Sequence, residues 1–512
     1  MRSPAAGGEA LAAGPRLFQK RRMNRTPLTT PPWELVWLTL LLAAYLLSDA
    51  LFGQAGYEFM NHVGPVWLAT VLSLGALRMA RMDAGSIWTP LFWFRASTAA
   101  YYGFGSLVPL FADPARRAYM QAFFRFYSED MAKANIIFVV AVIVVLLASN
   151  AWLSAFGHGR ADPRAHKRGG GAMLAAGLLF LAVGATVKYV LVLPYAFGIT
   201  DFVLPGSVAT LGKFTFAAIF LLTAWSRAHA RSLLPLMAAF AVLDMLAGAV
   251  SFNKSEVLGA LIMFLLAFIW PRMTPLRLAV AASLVVLTYV ALVPIVNFGR
   301  SELFQRYGTL GEAELSERVE ILSRAIGTAH TDPAASRGMS RLSYTNQATF
   351  AVHEYDSLRP GESYVNILAV FVPRVFWPDK PIITQVANDF NAAATGNPNS
   401  ASSPGLFAEA YWNFGWVGVI LVMATLGAIL AGLSRYALSV VQAGLWFYFP
   451  VVLLAMRIGF RTDGYFVVDV AGATVLAVAL HLLLTPIAMA LAPAARRGGR
   501  PQMRPLSAPA RT

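Results

Sequence analysis

The sequence predicts an all-α, polytopic membrane protein, and three of its features lead to this prediction. Hydrophobic residues make up 57% of the chain and charged residues only 13%, whereas soluble proteins carry about a quarter charged residues. Apolar runs of about 20 residues recur along the chain, which is the length of a helix that crosses a bilayer. Because backbone groups in lipid must find hydrogen-bond partners within their own segment, such runs are expected to be helical.

About twelve apolar segments have the length and hydropathy of transmembrane helices. The segment at 256–271 is short, which leaves broken or re-entrant helices as an alternative for it and its neighbour. The first segment is expected to remain as an anchor, because no small-residue cleavage site is evident after it. The predicted segments are 33–53, 62–80, 87–111, 134–156, 172–196, 207–226, 233–251, 256–271, 276–298, 405–433, 444–457 and 465–490.

The distribution of basic residues predicts the orientation of these helices. Lysine and arginine are concentrated in the N-terminal tail, in alternate loops and in the C-terminal tail. Since cytoplasmic loops carry this excess, both basic tails, residues 1–32 and 491–512, are placed on the cytoplasmic side of the plasma (inner) membrane. The net charge of +15 is assigned to this bias and to contacts with anionic membrane lipids, rather than to nucleic acid.

This orientation leaves one large segment outside the membrane. The predicted units are transmembrane helices 1–9 over 33–298, an extracytoplasmic loop over 299–404, and transmembrane helices 10–12 over 405–490. Within the loop, apolar spacing predicts helices at 314–329 and 340–355. Residues 364–372 are too few to span a bilayer and are expected to rest on the outer leaflet.

Several cations are predicted to meet at the outer face, against the direction of the topogenic charge bias. Arginine can grip phosphate oxygens in a bidentate manner and lysine supplies a point charge, so the group indicates a site for an anion. The alternative is a set of separate headgroup contacts, because long basic side chains near helix ends snorkel to the interface. The candidate residues are Lys254, Arg300, Arg374, Lys380, Arg457 and Arg461.

Acid–base candidates lie in or beside the predicted loop. His353 and Glu354 fall on the second predicted loop helix, while Glu409 opens the tenth transmembrane helix and Asp463 lies between the last two. A general base needs only one well-placed carboxylate or imidazole. The alternative for the two loop residues is an ordinary solvated helix face. Aromatic residues in the same region fit either sugar stacking or the aromatic belt of a membrane interface.

Other charges are predicted to lie inside the membrane, and cofactor motifs are missing from the sequence. Arg95, Lys188, Lys213 and Asp244 fall within apolar segments, where a charge either marks a cavity or pathway or is paired inside the protein. The chain has no cysteine, its 7 histidines show no metal-binding spacing, and no nucleotide-binding motif occurs. We therefore expect no metal and no cofactor.

Four motifs carry a resemblance to a known family. They are Ser-Phe-Asn-Lys-Ser-Glu-Val-Leu at 251–258, Asn-Phe-Gly-Arg at 297–300, Pro-Arg-Val-Phe-Trp-Pro-Asp-Lys-Pro at 373–381 and Glu-Ala-Tyr-Trp-Asn-Phe-Gly at 409–415. Together with the layout of many helices and one large external loop, they resemble the bacterial oligosaccharide repeat-unit polymerases, the Wzy-like O-antigen and exopolysaccharide polymerases. The resemblance covers roughly residues 250–433, and the motif at 373–381 is its most specific part.

The resemblance implies an architecture similar to that of C-type glycosyltransferases and a reaction at the outer membrane face. A growing glycan passes from one polyprenyl diphosphate to the non-reducing-end sugar of another lipid-linked repeat unit, without nucleotide, metal or cofactor. A chain-length regulator and a flippase are implied partners. The resemblance implies that Arg300, Arg374 and Lys380 make the first contacts with the diphosphate, and that Lys254, Arg457 and Arg461 lie in a second layer around it. It implies that His353, Glu354 and Glu409 act as acid–base groups or orient the acceptor. The implied glycan-binding residues are Trp377, Tyr411 and Asn413.

Three other functions stay open at this point. An O-antigen-type ligase uses the same donor chemistry and differs in its acceptor. A transporter or flippase for a lipid-linked or anionic solute would use the charges predicted within the membrane, although the two halves of the chain show no inverted repeat. A scaffold or sensor would use the loop to bind a partner and would tolerate substitution of the outer cations.

Overall fold

The fold is known from a computed structural model that describes residues 27–157, 169–200, 206–272, 274–308, 313–328, 343–372, 376–377, 379–398 and 400–491. These residues form helices joined by turns, and no strand occurs among them. Eight helical runs within these ranges are long and apolar enough to cross a membrane. The architecture is therefore consistent with an all-α, multi-pass membrane protein, whereas the figure of about twelve spans stays a prediction.

Residues 32–307 supply ten of the helices that we label. They are α1 (Pro32–Phe52), α2 (Gly64–Met82), α3 (Pro90–Thr98), α4 (Pro114–Phe124), α5 (Ser128–Phe156), α6 (Gly169–Ala185), α7 (Phe214–His229), α8 (Leu234–Val250), α9 (Lys254–Ile269) and α10 (Pro275–Tyr307). Short helical turns connect or extend several of them, at Gly56–Glu58, Gly105–Leu107, Leu193–Ala196 and Gly206–Leu211. Segments of π-helix follow α3 at Ala99–Phe104 and α6 at Thr186–Val192.

The second half contains the loop helices and the last apolar helices. They are α11 (Leu315–Thr328), α12 (Thr345–Asp356), α13 (Val386–Thr395), α14 (Leu406–Ala443), α15 (Phe449–Phe460) and α16 (Ala473–Leu491). A π-helical segment, Phe466–Gly472, precedes α16 and joins it in one apolar run. The helices α11 and α12 confirm the two loop helices expected near 314–329 and 340–355, whereas α4 and α13 were not predicted.

The helices α1 and α2 form an antiparallel hairpin within one apolar run. The chain reverses after Gly53, whose φ of 49° lies in the left-handed region that glycine adopts without strain. Gly75, late in α2, packs so closely on Glu34, early in α1, that a Cβ there would lie 2.6 Å from Glu34 Oε1. Small residues of this kind let membrane helices approach closely.

Three of the four charges expected within the membrane, Arg95, Lys188 and Asp244, are paired inside the protein. Arg95 Nε donates to Glu34 Oε1 at 2.8 Å, with both side chains buried. Lys188 Nζ lies 2.9 Å from Asp244 Oδ1 and 2.7 Å from Glu256 Oε2. These contacts favour structural pairing over an open pathway, because a buried charge is tolerated when it is paired and hydrogen-bonded.

One end of the bundle gathers the residues that were expected at the outer boundary. Arg300, late in α10, donates from Nε to the carbonyl oxygen of Phe252, in the turn before α9, at 2.9 Å. Leu406, at the start of α14, donates its N–H to the carbonyl oxygen of Thr462, just after α15, at 3.0 Å. Because Arg300 and Arg461 also line one cavity, the start of α9, the end of α15 and the start of α14 lie at the same end.

The opposite end carries basic residues that were assigned to the cytoplasm. Arg78, late in α2, donates to the carbonyl oxygen of Thr29 at 3.1 Å, and Arg227, late in α7, to that of Trp270 at 3.0 Å. Arg435, in the second half of α14, donates to the carbonyl oxygen of Phe156. Loops that were predicted to share one side of the membrane thus share one end of the bundle.

The short apolar segment in the predicted loop is exposed. Ile367–Phe371 forms a turn of 3₁₀ helix, and Leu368 and Phe371 expose 75% and 61% of their surface. Exposed apolar side chains on a segment too short to span a bilayer are typical of residues that rest in an interface.

Candidate functional site

A cavity of about 980 Å³ opens at the end of the bundle where α9 and α14 begin. Its walls come from α4, the last turns of α10, the start of α12, α13 with the loop at 400–403, and the segment 457–469. It is therefore built where the loop helices cover the ends of the apolar helices. A pocket of this size is large enough for a substantial polar ligand.

Four arginine side chains line this cavity within the described part of the chain: Arg116, Arg300, Arg457 and Arg461. Each is held by a different local structure. Arg300 is anchored by Phe252, Arg457 lies in the last turn of α15, Arg461 follows that helix directly, and Arg116 lies in the first turn of α4 with its guanidinium 5.1 Å from the Tyr119 ring. Arginines converging from separate helices on one cavity favour an anionic ligand.

Asp469 joins two of these arginines. Its Oδ1 lies 3.1 Å from Arg457 Nη2 and 3.3 Å from Arg461 Nε, and its Oδ2 lies 3.4 Å from Arg461 Nη2. The carboxylate comes from the π-helical segment Phe466–Gly472, and the N–H of Tyr465 also donates to it at 3.2 Å. Asp469 therefore fixes the directions in which both guanidinium groups point.

Asp463 is the second carboxylate beside Arg461. Its Oδ1 lies 3.5 Å from Arg461 Nε, and its Oδ2 accepts a hydrogen bond from the Tyr344 hydroxyl at 2.9 Å. Burial raises the pKa of Asp463 above its ordinary value, although Arg461 and the Tyr344 hydroxyl act in the opposite direction. Burial acts to lower the pKa of Arg461, but Asp463 and Asp469 outweigh it and raise that pKa, so Arg461 remains charged.

Amide and hydroxyl groups form the rest of the wall. Asn346 and Gln347 come from α12, Asn391 from α13, and Ser402 from the loop that follows α13. The Gln347 Oε1 and Ser402 Oγ atoms are buried and have no hydrogen-bond partner among the residues described. Since leaving a buried polar atom unpaired costs about 1–3 kcal/mol, such atoms indicate a place where a polar ligand or water completes the bonding.

The structure brings together half of the cations that were predicted to bind diphosphate. Arg300, Arg457 and Arg461 line the cavity. Lys254 begins α9 with its Nζ 5.8 Å from the Tyr289 ring, and Lys380 donates to the carbonyl oxygen of Val372 at 2.9 Å, so both lie outside the lining. Arg374 lies outside the described residues.

The three residues predicted as acid–base groups lie away from the cavity wall. His353 Nδ1 is 3.7 Å from Asp130 Oδ2, and Glu354 pairs with Arg359 at 2.6 Å. Glu409 is fully buried, where its Oε1 accepts from Ser363 Oγ at 2.6 Å and its Oε2 from the Phe466 N–H at 2.7 Å.

The three residues predicted to bind glycan also lie outside the lining. The Tyr411 hydroxyl donates to Asp356 Oδ1 at 2.8 Å, and Asn413 Nδ2 donates to Ser363 Oγ at 2.9 Å. Both side chains are buried and tie the loop to α14, while Trp377 is 40% exposed. Their contacts are those of packing residues in this arrangement, and their roles in glycan binding stay predictions.

Among the cavity residues that were not predicted from the sequence are Arg116, Asp469 and Gln347. Arg116 lies on α4, in a connection between apolar segments where no helix was predicted, although Asp113-Pro114 is a recognisable helix start. Asp469 is a single acid within an apolar run, which is itself a signal of a functional or paired charge. Nothing in the sequence indicates a binding role for Gln347, because glutamine is common on exposed helices.

No family model, curated protein or solved structure matches this chain. Within the described residues, no group of three or more histidine, aspartate and glutamate side chains is arranged to hold a metal ion.

Proposed function

We propose that the protein is a membrane glycosyltransferase that polymerises polyprenyl-diphosphate-linked oligosaccharide repeat units into a surface polysaccharide. The observation that carries this proposal is the cavity itself, in which four arginines and a wall of amides and hydroxyls meet at one end of an apolar helix bundle. The resemblance of the motifs at 251–258, 297–300, 373–381 and 409–415 to repeat-unit polymerases supports the same reaction.

Each part of such a donor finds matching chemistry around the cavity. The diphosphate fits Arg300, Arg457 and Arg461, which can stabilise the charge that develops as it leaves. Sugar hydroxyls fit the amides of Asn346, Gln347 and Asn391. A polyprenyl chain can run from the cavity-lining Pro294 down the exposed apolar side of α10 into lipid, past residues Val286, Leu287 and Val290.

The proposed reaction needs no nucleotide. An acceptor hydroxyl attacks the anomeric carbon of the donor glycan, and the bond from that carbon to the diphosphate oxygen breaks. Polyprenyl diphosphate leaves with the electron pair, and the arginines hold it while the product glycan remains on the acceptor's lipid. We propose that the cavity end faces the outside, because Arg78, Arg227 and Arg435 lie at the other end and topogenic positive charge marks the cytoplasmic side.

The direct test uses purified protein in detergent with synthetic polyprenyl-diphosphate-linked repeat units, without nucleotide or metal. We expect a ladder of longer lipid-linked glycans and release of polyprenyl diphosphate. Arg300→Ala should reduce turnover by about 100-fold or more, which is the size of effect expected for one charged transition-state contact. Arg81→Ala, an exposed cation at the end of α2 away from the cavity, is the matched control and should leave turnover unchanged.

Other outcomes point to other functions. A single transfer to a chemically different acceptor, with no ladder, makes the protein a ligase that uses the same donor. Movement of the lipid-linked substrate across vesicles without turnover makes it a transporter. Equal turnover by Arg300→Ala and wild type contradicts the assignment of this cavity as the reaction site.

A further inference from the structure

Asp463 is a cavity carboxylate with one buried oxygen atom that has no hydrogen-bond partner among the described residues. Its Oδ2 is bonded by the Tyr344 hydroxyl, but its Oδ1 has no hydrogen-bond partner within the described ranges and faces Arg461 Nε at 3.5 Å. The side chain is nearly enclosed, with 7% of the residue exposed. This carboxylate is therefore in the wall of the cavity but screened by one arginine.

The arginines beside it are already neutralised by internal acids. Arg457 and Arg461 carry two positive charges, and Asp463 and Asp469 carry two negative charges within 3.5 Å of them. A diphosphate that binds these arginines has to compete with the carboxylates. Asp469 is bound by both arginines and by the Tyr465 N–H, whereas Asp463 contacts Arg461 through a single long ion pair, so Asp463 is the easier one to displace.

Resting on the proposed function, we propose that Asp463 is the base that deprotonates the acceptor hydroxyl, and that Arg461 restrains it until the donor's diphosphate binds. Donor binding turns the Arg461 guanidinium towards phosphate and frees Asp463 Oδ1. Base activity is thereby coupled to the presence of a donor.

The step balances in atoms and charge. The acceptor O–H proton moves to Asp463 Oδ1 as the acceptor oxygen forms its bond to the anomeric carbon. The bond between that carbon and the diphosphate oxygen breaks, and its electron pair leaves with the diphosphate, which Arg457 and Arg461 hold. Asp463 then releases its proton to water, and Arg461 returns to it when polyprenyl diphosphate departs.

The surroundings of Asp463 suit this role better than those of the other acids. Five titratable groups face it: Arg461 from its own loop, Tyr344 from the residue before α12, Tyr101 and Tyr102 from the π-helical segment after α3, and Asp469. The Tyr344 hydroxyl holds Oδ2 and leaves Oδ1 for the acceptor. His353, Glu354 and Glu409 each have their partner outside the cavity, as described above.

The test compares Asp463→Asn and Asp463→Glu with wild type, as full-length protein in detergent checked for a single elution peak. Two quantities are measured: the rate of polyprenyl diphosphate release with both lipid-linked substrates, and binding of inorganic pyrophosphate. We expect Asp463→Asn to turn over about 100-fold or more slowly, which is within the usual contribution of a general base. Its pyrophosphate affinity should be equal to that of wild type or higher, because a competing carboxylate is gone.

The pH profile separates a base from a residue that only shapes the cavity. Burial raises the pKa of Asp463, and only the deprotonated carboxylate can act as a base. The wild-type rate should therefore increase as the pH rises through that pKa, and decrease at lower pH, where the carboxylate is protonated. This increase of rate with pH should persist in Asp463→Glu, which keeps a carboxylate, and should be absent from the residual activity of Asp463→Asn.

Three results overturn the proposal in distinguishable ways. Full turnover by Asp463→Asn removes Asp463 as the base and leaves the proposed function intact. Equal losses of turnover and pyrophosphate affinity in Asp463→Asn show that Asp463 only positions Arg461. Failure of wild-type protein to release polyprenyl diphosphate overturns the proposed function and this inference together.

Discussion

The guanidinium of Arg461 faces both oxygens of the Asp469 carboxylate, with Nε 3.3 Å from Oδ1 and Nη2 3.4 Å from Oδ2. The paired contact orients the guanidinium plane, since arginine presents its donors in a rigid fork. Asp469 also holds Arg457, so one buried acid prepares two cations for a common ligand. The negative charge of Asp469 also weakens the attraction of Arg457 and Arg461 for anions, so removing that charge should change the anion affinity of the cavity.

Asp469→Asn should strengthen the binding of inorganic pyrophosphate by about threefold to tenfold. The amide keeps an oxygen that can orient the arginines, but it removes a negative charge that lies beside both of them. Two unit charges about 4 Å apart in water interact by about 1 kcal/mol, which corresponds to roughly fivefold in affinity. Isothermal titration in detergent at two salt concentrations measures the change, which should shrink at higher salt.

Glu302→Gln is the matched control for Asp469→Asn. Glu302 also lines the cavity, but it pairs with Arg306 at 3.3 Å and with Arg324 at 3.7 Å rather than with Arg457 or Arg461. We expect less than a twofold change in its pyrophosphate affinity. Equal gains in both variants would mean that the cavity responds to net charge alone and not to the arrangement of Arg457, Arg461 and Asp469.

Arg461→Lys should lose most of the turnover that Arg461→Ala loses. Lysine keeps the charge, but it cannot make the two-point contact of a guanidinium, either with Asp469 or with a phosphate. The steady-state rate of polyprenyl diphosphate release, compared among the three proteins, measures this. A lysine variant as active as wild type would show that a point charge is sufficient at this position.

The sequence was a good guide to which helices exist and a partial guide to the site. Arg300, Arg457 and Arg461 were grouped because each follows or ends an apolar run, and the ends of antiparallel helices meet at the same boundary. The positions of the helix ends follow from the alternating direction of successive helices, whichever helices pack against one another. It also explains why α11 and α12 were found, since their apolar spacing is a local property.

The remaining site residues depend on contacts between distant parts of the chain. Glu409 was taken for an acid–base group, but its partner Ser363 lies 46 residues earlier, and no local pattern reveals that contact. Arg95 was expected either to mark a pathway or to be paired, but its partner Glu34, 61 residues earlier in the first apolar helix, could not be identified from the sequence. The helix α13, with Asn391, was missed because its polar composition is that of a loop.

The two ends of the bundle should be accessible from opposite sides of the membrane. The chain contains no cysteine, so single cysteines introduced at Ser400 and at Arg81 can be labelled without background. Ser400 lines the cavity and Arg81 lies at the other end, and both are exposed. A membrane-impermeant maleimide should label the Ser400→Cys variant in intact cells and the Arg81→Cys variant only after permeabilisation. The reverse pattern would place the cavity in the cytoplasm and remove the argument for an outer-face reaction.

Removing one partner of the buried Glu34–Arg95 pair should destabilise the protein strongly. Glu34→Ala leaves the Arg95 guanidinium buried without its carboxylate, and breaking a buried ion pair in this way costs about 3–5 kcal/mol. Thermal unfolding in detergent should show a large fall in the midpoint. Lys133→Ala, which removes a half-exposed ion pair with Asp356, is the control and should cost about 0–1 kcal/mol.

The double variant Glu34→Leu with Arg95→Met tests the cause of that fall. If an unpaired buried charge is responsible, replacing both partners by apolar side chains should recover most of the stability lost in Glu34→Ala, because the desolvation penalty disappears with the charge. Gly75 packs against the Glu34 carboxylate, so a leucine there must fit a narrow space and recovery is expected to be incomplete. A double variant no more stable than Glu34→Ala would show instead that shape at this contact, rather than charge, holds the hairpin of α1 and α2 to α3.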